Sequence, residues 1–74
     1  MTEVYEVLPD NTVGGWKVVN SNRTTLKRTA TKREAVQAGV QRARARARDF
    51  GPATLRIRNA NGHFAETRSY PSDL

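Results

Sequence analysis

Val4, Tyr5, Val7 and Leu8 open the chain as a short β-prone apolar run. Pro9-Asp10-Asn11 stops it, because proline fixes φ and Asp and Asn hydrogen-bond their own backbone in turns. A strand is expected over residues 2–8. Gly14-Gly15 then leads into Trp16-Lys17-Val18-Val19, where strict alternation places Trp16 and Val18 on one face and Lys17 and Val19 on the other. This is a second strand, hairpinned to the first. After the Asn20-Ser21-Asn22 turn, residues 23–29 are Thr-rich, with Leu26 as their one apolar anchor. They are expected as a third, edge strand, whose Lys27 and Arg28 discourage pairing with other chains.

Thr31-Lys32-Arg33-Glu34 matches a capping box, in which the Thr31 hydroxyl accepts from the Glu34 amide while the Glu34 side chain reaches back. A helix from about residue 32 to Asp49 follows. Ala35, Val36, Gly39, Val40, Ala43, Ala47 and Phe50 recur at helical spacing on one side, and Gly51-Pro52 ends the element. Ala53 to Arg58 then alternates apolar with polar or basic residues, pointing Leu55 and Ile57 to a core. Asn61-Gly62 is a strong hairpin signal, with residues 63–69 as the returning strand. A two-residue loop sets Ile57 opposite Glu66 and Asn59 opposite Phe64, so Phe64 shares the core face. A one-residue change in loop length inverts that assignment. Residues 70–74 are expected as a tail, with Tyr70 available to pack on the sheet.

One apolar helix stripe is most cheaply buried across one face of a sheet. The pattern therefore predicts a single two-layer α+β domain over residues 1–74, an antiparallel sheet of four or five strands in the order β-β-(β)-α-β-β. Trp16, Val36, Val40, Ala43, Leu55, Ile57 and Phe64 form most of its expected core. The other sheet face is open to solvent or a partner, with Lys17, Arg56, Arg58 and His63 as candidates for it. So small a core makes self-association plausible, and a homodimer is one expectation.

Charge changes this picture of a plain small domain. The 74 residues carry net +6, and it is segregated: residues 23–48 hold nine Lys or Arg against one acid, Glu34, while the rest holds four against six acids. Such segregation marks an electrostatic footprint. Its densest part is Arg42-Ala43-Arg44-Ala45-Arg46-Ala47-Arg48, inside the expected helix. On a helical wheel Arg42 and Arg46 form one i,i+4 rail beside the apolar face. Arg44 and Arg48 form a second, with Glu34, Ala38, Gln41 and Ala45 between the two. The competing reading is that the Arg stems merely cover core edges and send their heads to water, above all at Arg46.

Guanidinium forks match phosphate, so the expected function is a small non-enzymatic nucleic-acid-binding protein that holds duplex DNA mainly by its backbone. The expected contact residues are Arg42, Arg44, Arg46 and Arg48, extended by Lys27, Arg28, Lys32 and Arg33. Arg56 and Arg58 could instead lay a basic sheet face in a groove; the two geometries exclude one another if helix and open face lie on opposite sides. The alternative from another class is a protein-interaction or inhibitor module whose basic surface docks an acidic protein. With five aromatics, several needed for the core, stacking on single strands is less favoured.

Other chemistry has little to build on. There is no cysteine, His63 is the one histidine, and Ser21, Ser69 and Ser72 have no base nearby in sequence. Gly14-Gly15 has no helix or P-loop Lys after it and reads as a turn. No metal or cofactor is expected. The absence of a long apolar run or a signal-peptide pattern makes the cytoplasm the expected compartment.

The Gly15-Trp16-Lys17-Val18 strand, the Thr31-Lys32-Arg33-Glu34-Ala35 helix start, and Leu55-Arg56-Ile57 with Asn61-Gly62 and Ser69-Tyr70-Pro71-Ser72-Asp73 together resemble a family of small prokaryotic domains of unknown function. The resemblance spans nearly the whole chain and implies a compact β-β-α-β-β fold with no assigned activity. The arginine run lies outside that pattern. The β-β-β-α order is also similar to the three-stranded-sheet DNA readers of plant transcription factors and integrases, an analogy of fold alone.

Overall fold

The computed structural model describes residues 2–71. Its elements follow the order β1 (Glu3–Pro9), β2 (Trp16–Val19), β3 (Thr25–Thr29), α1 (Lys32–Asp49), β4 (Ala53–Arg58) and β5 (Phe64–Tyr70). One helix covers one face of a five-stranded sheet ordered β3-β2-β1-β4-β5, so the molecule is the two-layer α+β domain expected. The sheet is mixed rather than antiparallel. β1 and β4 run parallel at its centre, with Tyr5 beside Leu55 and Val7 beside Ile57. The helix runs back over the sheet before β4 starts, so β4 must point the same way as β1. It takes the place beside β1, where Leu55 joins Val7 and Val18 as the largest fully buried side chains.

The helix lies close against this floor because its inward stripe is small. Ala35, Gly39, Ala43 and Ala47 recur every fourth residue and are all buried, while Val36 and Val40 are half-buried at the margins. At the helix start Glu34 N donates to Thr31 Oγ1 at 3.2 Å, as the capping box requires. The Thr31 hydroxyl in turn donates to Glu34 Oε1 at 3.0 Å, so the return bond is side chain to side chain. Phe50 caps the far end with its amide on Arg46 O and its ring 73% exposed, outside the core stripe expected for it.

Two local irregularities decide where the C-terminal side chains point. The hairpin loop has three residues, closed by Asn59 N on His63 O and Gly62 N on Asn59 O, with Gly62 at φ 85. Phe64 therefore pairs with Arg58, not Asn59, and stands on the open face rather than in the core. A register shift beyond that pair, at Ala65, absorbs the extra residue, and Ile57 lies opposite Glu66 as expected. The returning strand includes Tyr70, which packs at the core margin; the rest of the expected tail, beyond Pro71, falls outside the described residues.

Candidate nucleic-acid interface

The ten cationic residues singled out in the sequence are divided between the two layers. Arg28, Arg56 and Arg58 occupy the open sheet face or its rim, because each alternates with a residue turned toward the helix. Lys27, Lys32, Arg33, Arg42, Arg44, Arg46 and Arg48 lie on or beside α1. Helix and open face are on opposite sides of the sheet, so the two sets do not converge on one ligand.

On the open face the guanidinium groups already have partners. Arg58 Nη1 donates to Gly62 O at 2.7 Å and Nη2 to Glu6 Oε1 at 3.4 Å, with Nε 3.3 Å from Glu6 Oε2 completing the ion pair. The Phe64 ring lies against two cations, with the Arg56 guanidinium carbon 3.8 Å and that of Arg58 4.0 Å from its centroid. Arg28 Nε donates to Asp10 Oδ2 at 2.8 Å. Asp10 is buried and also accepts from Thr12 N at 3.0 Å, while its backbone closes the β1–β2 turn on Gly15 and Gly14. The Arg28 fork, followed by the Thr12 amide, holds the Asp10 carboxyl below its ordinary value of 3.8.

Arg23 was not singled out as a site residue, yet it borders two hollows on this face, one with Val19, Glu6 and Arg56 and one with Leu8 and Arg58. It sits in the turn at φ 67 rather than in β3. The preceding Asn20-Ser21-Asn22 is its sequence signal, since Asn20 Oδ1 accepts from the Asn22 and Thr24 amides to fold that turn.

The helix side differs. Arg33, Arg42, Arg44 and Arg48 are exposed, and Ala43 and Ala47 between them are buried. Arg42 and Arg44 form no ion pair with an acid among the described residues. Arg48 pairs with the neighbouring Asp49 at 3.2 Å, both exposed. Arg42 shares a hollow of about 440 Å³ with Lys27, Gln37 and Gln41, between the helix and β3. Arg44 and Arg48 border Tyr70 and Pro71 on the other flank.

Two members of this set turn inward. Arg46 is half-buried, its Nε has no hydrogen-bond partner, and its guanidinium lies 5.3 Å from the Phe50 ring. Its charge adds to the Ser21 hydroxyl and amide in lowering the Glu3 carboxyl. Lys32 lies over the Trp16 ring at 5.7 Å and donates to Asn59 Oδ1 at 3.4 Å. Both read as parts of the scaffold.

Among the described residues no three His, Asp or Glu side chains group as metal ligands would, and no helix is long and apolar enough to cross a membrane. No curated protein and no solved structure matches the chain. Residues 5–70 match the model of a family described as an uncharacterized protein conserved in bacteria, and with nearly the whole fold inside that span the chain belongs to this family, DUF2188.

Proposed function

We propose that this is a small, cytoplasmic, non-enzymatic protein that binds duplex DNA through its phosphate backbone, with the outer and flanking surface of α1 as the contact. One observation carries the reading: Arg42 and Arg44 stand exposed on a regular helix with no ion pair to an acid among the described residues, while Ala43 between them and Ala47 beyond are buried. The helix fixes where each stem starts, the planar guanidinium fork loses less freedom per hydrogen bond to phosphate than a lysine would, and each contact releases a condensed counterion. Gln37 and Gln41 add neutral donors between the flanks.

The opposite face is the weaker contact on the same reasoning. Arg28 and Arg58 are neutralised by Asp10 and Glu6, and Arg56 is stacked on Phe64. A phosphate there competes with interactions already made.

A mobility-shift assay at low salt with a fluorescent duplex of about 20 base pairs tests the reading. The wild type shifts the probe, R42Q/R44Q shifts it only at much higher protein concentration, and K17Q/R56Q shifts it as the wild type does. Absence of any shift with DNA or RNA sinks it, and an acidic protein becomes the partner to seek. Loss in K17Q/R56Q alone moves the contact to the sheet.

A further inference from the structure

The two edges of the sheet are unlike. β3 carries adjacent Lys27 and Arg28 and a register irregularity against β2, devices that keep an edge from pairing with another chain. β5 has its irregularity at Ala65, and beyond it carries charges of opposite sign, Glu66 and Arg68, that can complement a second copy rather than repel it. From Glu66 to Tyr70 it pairs regularly with β4, contains neither proline nor lysine, and is exposed over much of its length. α1 packs mainly across β1, β4 and β2 and scarcely reaches β5. A hollow of about 520 Å³ is left between them, floored by Val36, Ile57 and Ala65.

We propose that β5 pairs with β5 of a second copy of this chain, antiparallel about a two-fold axis at Thr67. Charge selects both the occupant and the register. Glu66 and Arg68 lie opposite Ile57 and Leu55 on the helix side of the strand and already pair with each other through Arg68 Nε and Glu66 Oε2 at 2.5 Å. With the axis at Thr67, Glu66 faces the partner's Arg68 and Arg68 faces the partner's Glu66, closing a ring of four alternating charges. An axis one residue earlier sets Glu66 against the partner's Glu66, and one residue later sets Arg68 against the partner's Arg68. Like charges directly opposite destabilise a ladder, so the self-complementary register is the one at Thr67. A residue pair on the axis suits both kinds of site in an antiparallel ladder.

The axis stands perpendicular to the sheet, so both helices lie on one side of a continuous sheet. Their Arg44 and Arg48 flanks, which border Tyr70 and Pro71, then lie at opposite ends of the seam, because the two-fold at Thr67 carries each Tyr70 to the far side of the axis. Dimerisation stands independently of the DNA reading, because the edge and its charges do not require a nucleic acid.

Sedimentation equilibrium between about 10 and 1,000 μM, the range of a small edge-to-edge interface, tests the pairing. The wild type dimerises; R68E, which places four acids together, raises the dissociation constant at least about tenfold; exchanging the charges in E66R/R68E restores it to within about threefold. The chain has no cysteine, so T67C gives a second readout. Its Cα lies about 4.5–5.5 Å from the partner's across the axis, within disulfide reach, and T67C oxidises to a covalent dimer while S69C does not. A monomeric wild type, an R68E protein that dimerises as well as wild type, or S69C cross-linking as fast as T67C overturns the proposal.

Discussion

A side-chain carbon placed on Gly39 would lie 2.8 Å from Leu55 Cδ1 and 3.1 Å from Val7 Cγ2. The helix sits tightly on the sheet there, and the buried Ala35, Ala43 and Ala47 extend the small-residue stripe along it. Because the inward stripe is this narrow, the flanks of α1 are left to long charged side chains. Packing thus determines how the arginines are displayed. Gly39→Val should lower stability by about 2 kcal/mol or more despite relieving the helix of a glycine, since both opposing side chains are fully buried and have little room to yield. Thermal unfolding followed by circular dichroism checks this, with a fall of about 8 °C or more expected.

Phe64 separates the observed fold from its inversion. On the open face at 45% exposure, against Arg56 and Arg58, it contributes about 1 kcal/mol. Phe64→Ala should therefore cost far less in urea denaturation than Leu55→Ala, for which about 2–5 kcal/mol is expected. Equal losses would return Phe64 to the core.

Local chemistry was legible in the sequence and long-range pairing was not. Thr31 and Glu34 announced the helix start three residues apart, and alternation placed Leu55 and Ile57 inward. Ile57 opposite Glu66 was also correct, but through two shifts that cancel, a longer loop and an irregularity at Ala65. Phe64 lies between those shifts, so its face was inverted. The parallel contact of β1 with β4 joins segments about fifty residues apart, and no local pattern encodes it. The same distance hid the electrostatics. Arg28 meets Asp10 and Arg58 meets Glu6 across the sheet, so a run of charges could not reveal which cations were already satisfied.

Acid should loosen the β1–β2 turn. The Asp10 carboxyl is held below its ordinary 3.8, so the folded state binds fewer protons there than the unfolded state. Its contribution is complete above about pH 4 and is lost as pH falls through the depressed folded value. Asp10→Asn should lower the melting temperature at pH 7, and the gap to wild type should narrow below pH 4. A gap that stays constant with pH contradicts the role of the charge.

Arg46 and Arg42 form one rail on the wheel but serve different ends in the fold. Arg46→Ala strips stem packing beside Phe50 and a charge near Glu3, and should cost about 1 kcal/mol. Arg42→Gln should stay within about 0.5 kcal/mol of wild type, as surface changes usually do. Chemical denaturation of the two variants side by side separates the scaffold arginine from the displayed one.

The dependence of duplex affinity on salt tests the central claim most directly, because each cation that meets a phosphate adds about −0.9 to the slope of log affinity against log salt. Fluorescence anisotropy with one duplex across a salt series should give a steep linear decline for wild type, and R42Q/R44Q should be shallower by about 2. Equal slopes for the two proteins, or no measurable binding at low salt, would contradict a phosphate-contacting α1.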